Sequence, residues 1–251
     1  MKFSCCPEGS HIYLNDNYIS KGIIKNILSK QVYEIGDNEK VIILISDIFG
    51  FSGGRIRFIA DYISNIGYTV ILPDFFNNNP WPKEKPFNDG LKEWIIEQGF
   101  ETKIIFIENL ITELIKKGKT KFGFISFCWG SWLGWKFISL KNKIIIDFCV
   151  NLHPSFGIEE MFNRDIMEIV KNIKCPQFIA CANNDPDNIK DNGEIIKMLI
   201  NNIGKENIEI QLYNDMLHGW SVRGDLKNEL IFRDNIKVWE EVKQFLIKFF
   251  K

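Results

Sequence analysis

Cys128 has the surroundings of a nucleophile. It follows Phe122 to Phe127, an apolar run of the length of a buried strand, and precedes a segment with helical spacing. Ser126 stands two residues before it, and Gly130 and then Ser131 follow. This small-x-nucleophile-x-Gly pattern belongs to a sharp strand-to-helix turn, with Cys in the nucleophile's place. A helix N-terminus presents unpaired N–H groups and partial positive charge, both of which favour the reactive thiolate. The N–H of Trp129 would then face a developing oxyanion. A buried core cysteine is the alternative reading at this position.

A thiol nucleophile of this kind needs a base and a carboxylate to orient it. His218, followed by Gly219 in a polar loop after the last expected strand, is the candidate base. His153, also after a strand and followed by Pro154, is its rival, and His11 lies in an irregular N-terminal stretch. Asp185 ends an Ala-Asn-Asn-Asp segment after another strand, with Asp187 and Asp215 as alternatives. Asp47 also falls at a strand end. The order nucleophile, acid, histidine is that of α/β-hydrolases, and ligands of open α/β sheets bind beyond the carboxyl ends of the strands.

The elements that would position these residues alternate between strand and helix. Strands are expected over 22–27, 31–35, 40–46, 68–72, 122–127, 144–151, 176–181 and 207–213. Helices are expected over 55–66, 90–98, 101–117, 129–140, 158–172, 189–202 and 233–250. Lys40 to Ser46 encloses a continuous Val-Ile-Ile-Leu-Ile run, the signature of a parallel strand buried on both faces. The alternation predicts an α/β class with a mostly parallel, doubly wound sheet flanked by helices. No repeat or linker divides residues 1–251, so one domain is expected, with the long loop over 75–100 as a candidate lid.

The 31 Lys and Arg against 32 Asp and Glu leave a net charge of −1, which gives nucleic acid and anionic membranes no electrostatic footprint. No apolar run reaches the ~18 residues of a membrane span. The N-terminus lacks the apolar core of a signal peptide. Cys5 and Cys6 are adjacent and no C-x-x-C occurs, so the six cysteines show no metal-ligand spacing, and no metal or organic cofactor is expected. Several sit in apolar runs, which suits buried thiols in a reducing, cytoplasmic setting.

Ser-Phe-Cys-Trp-Gly at 126–130, Asp-Ile-Phe-Gly at 47–50 and His-Gly-Trp at 218–220 together resemble the dienelactone hydrolase family, most closely its carboxymethylenebutenolidase-like members from eukaryotes. Residues 57–61 and Leu-Pro-Asp-Phe-Phe at 72–76 fit the same group, and the resemblance runs over nearly the whole chain. It implies the α/β-hydrolase fold and a Cys128-Asp185-His218 triad that cleaves small lactones or esters through a thioacyl-enzyme. It also implies an oxyanion hole from the N–H groups of Ile48 and Trp129, control of the thiol by Asp47, and Arg223 as a binder of a substrate carboxylate. Arg57 is assigned a bracing role instead. Ser126 and Ser131 depart from the family's usual glycines, and loop 75–100 holds no counterpart of a second substrate-binding arginine. A cysteine thioesterase or deacylase and a catalytically silent binding protein are the alternative functions.

Overall fold

A computed structural model describes residues 5–15, 17–140 and 144–251. In chain order the elements are β1 (Ile23–Ile27), β2 (Lys30–Ile35), β3 (Lys40–Ile45), α1 (Ile56–Asn65), β4 (Thr69–Pro73), α2 (Leu91–Gln98) and α3 (Glu101–Lys116). These are followed by β5 (Lys121–Phe127), α4 (Trp129–Ser139), β6 (Phe148–Leu152), α5 (Ile158–Met161), α6 (Met167–Val170) and β7 (Gln177–Ala182). The last four are α7 (Glu194–Ile203), β8 (Ile208–Tyr213), α8 (Trp220–Arg223) and α9 (Glu229–Phe249). The eight strands form one sheet in the order β1-β2-β4-β3-β5-β6-β7-β8. From β4 through β8 every pairing is parallel, while β1 and β2 form an antiparallel edge.

The pleat sends successive side chains to opposite faces. Val41, Ile43 and Ile45 therefore join the core beneath α3, α4 and α7, whereas Ile42 and Leu44 join the core beneath α1 and α9. Burial on both faces explains why β3 reads as an unbroken apolar run. Gly123 of β5 faces the Phe148 ring of β6, and a Cβ there would lie 2.1 Å from that ring. The two central strands thus interlock by pairing the smallest residue with a large one.

Four expected elements differ in extent. The strand over 144–151 begins only at Phe148, because Ile145 is exposed and the Asp147 carboxylate accepts the Phe122 N–H (3.0 Å) ahead of the ladder. The helix over 158–172 breaks into α5 and α6, for Asn163 adopts a left-handed φ of 54° and Asp165 turns back to accept the Met167 N–H. The helix expected from 189 starts at Glu194, after Gly193 packs so tightly on Asn188 that a Cβ would lie 2.3 Å from its carbonyl oxygen. The last helix begins early, at Glu229, since the Asn228 side chain caps it by accepting the Leu230 and Ile231 N–H groups.

Candidate functional site

Cys128 sits between β5 and α4 with φ 53° and ψ −118°, a conformation that costs a non-glycine residue on the order of 1–3 kcal/mol. Neighbours on three sides fix it. Its N–H donates to the Leu152 carbonyl (3.1 Å), and its own carbonyl accepts from the N–H groups of Ser131 and Ser155 (3.1 Å each). Close approach of α4 to the end of β3 demands Gly130, where a Cβ would lie 2.2 Å from the Ile45 carbonyl oxygen and 2.5 Å from that of Ser46. Ser126 suits the family's glycine position because its hydroxyl donates to the Val150 carbonyl (2.9 Å).

The loops after β7 and β8 bring Asp185 and His218 together. Asp185 Oδ1 lies 2.6 Å from His218 Nδ1, and Oδ2 accepts the Ala182 N–H at 2.7 Å. The backbone of His218 is held too, its N–H donating to Asn184 Oδ1 and its carbonyl accepting the His11 N–H. Gly219 follows with φ 90°, and a Cβ there would strike the Arg223 guanidinium. His218 Nε2 is buried without a hydrogen-bond partner among the described residues. The alternative acids lie elsewhere, whereas the His153 ring packs 5.0 Å from that of His218, centroid to centroid, with its Nε2 already engaged. Asp187 pairs with Lys190 and Asp215 with Arg233, both near the surface, while His153 Nε2 meets the Ser221 hydroxyl at 2.8 Å.

Ionisation of the thiol and the imidazole is linked. Burial opposes the Cys128 thiolate, yet hydrogen bonds from Cys5 and Cys6 and the charge of His218 carry its pKa well below the ordinary value. Burial likewise opposes charge on His218, and the Cys128 and Asp185 charges overcome it, raising the imidazole well above its ordinary range. His153 is driven the other way, chiefly by burial and then by the charge on His218.

Asp47 follows β3 and forms a buried ion pair with Arg223 of α8 at 2.5 Å, while its other oxygen accepts the Phe49 N–H. Burial raises its pKa, with Arg223 pulling it down and the Cys128 charge pushing it up. Arg223 also donates through Nε to the His11 carbonyl at 2.9 Å. Its Nη2 has no hydrogen-bond partner among the described residues. Arg57 lies apart, bonded to Phe51 and Ser52 and packed over the Phe51 and Tyr33 rings.

Ile48 opens the turn that follows β3, and Trp129 is the first residue of α4, just after the turn at Cys128. The 75–100 segment packs against both: the Trp81 N–H donates to the Ile48 carbonyl (2.9 Å), and Phe76 lies 4.8 Å from the Trp129 ring, centroid to centroid. Such aromatic pairs add about 0.5–1.5 kcal/mol each beyond area burial. The segment is thus anchored at its buried Phe75, Phe76 and Trp81 side chains.

Sequence reasoning did not place three further groups here. Cys5 Sγ lies 3.5 Å from Cys128 Sγ, and Cys6 completes a cluster in which the three sulfurs are within 4.8 Å of one another. The Ser155 hydroxyl is 3.3 Å from Cys128 Sγ and also reaches the Cys5 carbonyl. Lys103, a buried amine brought down to about 8 by burial, stands over the Phe76 and Trp129 rings. The adjacent Cys5-Cys6 pair was the only sequence signal for any of these.

The dienelactone hydrolase family profile matches residues 29–250. An uncharacterised AIM2 family protein of Schizosaccharomyces pombe is 29% identical over 244 residues, covering 90% of each chain. The human carboxymethylenebutenolidase homolog is 34% identical over 113 residues, 43% of each chain. Among solved structures, a monoglyceride lipase from Saccharomyces cerevisiae aligns with a TM-score of 0.60 at 13% identity, over 92% of this chain and 95% of its own. An esterase from Pyrococcus furiosus aligns with a TM-score of 0.59 at 14% identity, over 97% and 98%. These likenesses give the fold as that of the α/β-hydrolases. The chain is a member of the dienelactone hydrolase family of ester and lactone hydrolases.

Proposed function

We propose that the protein hydrolyses small esters or lactones through Cys128, His218 and Asp185, by way of a thioacyl-enzyme. The observation that carries this reading is a strained cysteine at a strand-to-helix turn, sharing a buried pocket with a histidine held at 2.6 Å by a carboxylate. The Cys128 thiolate attacks the carbonyl carbon, and the N–H groups of Ile48 and Trp129 receive the oxyanion, each such donor contributing about 3–4 kcal/mol. As the intermediate collapses, the C–O bond breaks and His218 gives its proton to the leaving oxygen. Water then attacks the thioester while His218 takes its proton, releasing the acid and restoring the thiolate. Asp185 keeps the Nδ1 proton in place so that Nε2 faces the reaction.

Asp47, paired with Arg223, places a negative charge near Cys128 that partly offsets the pull of His218 on the thiolate. Arg223 retains Nη2 for a substrate carboxylate. Both the Cys128 and the His218 side chains are almost wholly buried, so substrate entry requires the segment from Cys5 to His11 to shift. The six cysteines are buried and none is in a disulfide among the described residues, which supports a reducing, cytoplasmic setting. No helix among the described residues is long and apolar enough to cross a membrane.

The test is a chromogenic ester followed by acid quench and mass spectrometry. Wild-type protein should show an acyl adduct on the peptide containing Cys128, and Cys128→Ala should show neither adduct nor turnover. Unchanged turnover in Cys128→Ala removes the proposal.

A further inference from the structure

Three thiols with no sequence spacing for a metal converge on one point. The Sγ atoms of Cys5, Cys6 and Cys128 all lie within 4.8 Å of one another, with Cys5 and Cys128 at 3.5 Å. A zinc–thiolate bond of about 2.3 Å puts two sulfurs on one tetrahedral ion roughly 3.8 Å apart. The separation of 3.5 Å is close to that value and far from the ~2.05 Å of a disulfide. All three side chains are buried.

His218, whose Nδ1 is held by Asp185 at 2.6 Å, stands outside this group: among the described residues, the donor atoms that all lie within 4.8 Å of one another are the three sulfurs.

We propose that Cys5, Cys6 and Cys128 form a binding site for one zinc-like, thiophilic d10 cation, with the fourth tetrahedral position left to solvent or a small ligand. Three thiolate sulfurs are a donor set that favours zinc over hard cations such as magnesium or calcium. Binding displaces the thiol protons, and the ion's two positive charges offset two of the three thiolates in a pocket that has little water to do so. The N-terminal segment is already fastened over the site, through His11 N–H to the His218 carbonyl and Asn184 Nδ2 to the Glu8 carbonyl. The ion would tie that segment to the turn after β5. If the hydrolase reading holds, it would also engage the nucleophile, and turnover would stop.

The experiment uses the full chain, stripped of metal and reduced with a phosphine under nitrogen. Cobalt(II) is titrated first, for its thiolate charge-transfer and tetrahedral d–d bands. Zinc is then titrated against a chromogenic chelator. One ion per chain is expected, with cobalt bands of a tetrahedral thiolate site. Cys5→Ser and Cys6→Ser should each weaken binding by more than the ~10–100-fold that loss of an outer partner costs. Cys149→Ser and Cys175→Ser, at buried thiols elsewhere, should bind as wild type. Thermal melting gives a reading independent of the bands, because zinc should raise the wild-type midpoint and leave the Cys5→Ser/Cys6→Ser double variant unmoved. Absence of one-to-one binding, or binding in the double variant equal to wild type, overturns the proposal. Ester turnover is recorded separately with and without zinc. A metal-free protein that cleaves no ester refutes the hydrolase reading while the titrations still decide the metal site.

Discussion

Replacing Asp185 with asparagine keeps the shape of the side chain and removes its charge. The carboxylate accepts from His218 Nδ1 at 2.6 Å and from the Ala182 N–H at 2.7 Å. An amide has one acceptor and one donor, so only one of these contacts survives. If its oxygen stays on Ala182, its NH2 faces Nδ1, which must then accept, and the imidazole proton moves to Nε2. That is the wrong tautomer for a base aimed at a thiol or water. If the amide flips, two donors meet at Ala182, and the buried N–H loses its partner at a cost of about 1–3 kcal/mol. Hydrogen bonds to charged groups contribute about 1.5–3 kcal/mol, and each 1.36 kcal/mol is tenfold in rate. The lost contact and the misplaced proton together should lower kcat for a chromogenic ester by at least ~10²-fold with KM little changed, as expected for an interaction that strengthens as the imidazole becomes charged. Steady-state kinetics on Asp185→Asn, with circular dichroism to show that it folds, make the comparison. A loss below about tenfold would refute the reasoning, because the carboxylate would then not be setting the tautomer.

Iodoacetamide should alkylate Cys128 at a nearly constant rate from neutral pH to about 9. Its folded pKa lies well below the ordinary 9.0, so the thiolate is present above that lowered value and is lost only as pH falls through it. A rate rising about tenfold per unit between about pH 6 and 8, as for an ordinary thiol, contradicts this. Gly130→Ala drives a methyl to within 2.2 Å of the Ile45 carbonyl oxygen and should destabilise by about 1–3 kcal/mol or more in urea unfolding. Asn228→Ala removes the acceptor for Leu230 and Ile231 N–H at the start of α9 and should cost about 1 kcal/mol by the same assay. Arg223→Met strands the buried Asp47 carboxylate and should cost about 3–5 kcal/mol, most of which the added Asp47→Leu change should restore.

The elbow was legible because its requirements are local. A buried strand, small residues at 126 and 130 around Cys128 and helical spacing afterwards are all written between residues 122 and 140, and Gly130 meets a backbone approach that few other residues permit. Asp185 was legible by position after β7, although only coordinates separate it from Asp187, whose carboxylate turns outward to Lys190. Element ends were less legible where side chains decide them. Asn163 and Asp165 interrupt an apolar helical pattern by local turns, and Asn228 starts α9 ahead of its clearest amphipathic stretch. Cys5 and Cys6 were illegible as site residues, since nothing near them in sequence indicates that the chain folds back across β5. What holds their segment is tertiary: the His11 N–H bonded to the His218 carbonyl and the Asn184 side chain bonded to the Glu8 carbonyl.

The burial of this pocket bears on why sulfur stands at position 128. Asp47 and Arg223 neutralise each other, which leaves Asp185, His218 and Cys128 as a second group in a medium that penalises every unpaired charge. With a neutral thiol and a neutral imidazole this second group carries the single charge of Asp185. Transfer of the thiol proton to His218 makes a thiolate and an imidazolium, and the net charge of the group is unchanged. On the proposed mechanism, the nucleophile can therefore be armed by moving one proton inside the pocket, without bringing a new charge out of water. A hydroxyl would need a far larger push for the same transfer, because its ordinary pKa lies far above that of a thiol, and the imidazole that would take its proton is already committed to Asp185. In a site sealed by its own N-terminal segment, a nucleophile that ionises by internal transfer gains more from sulfur than one open to solvent would.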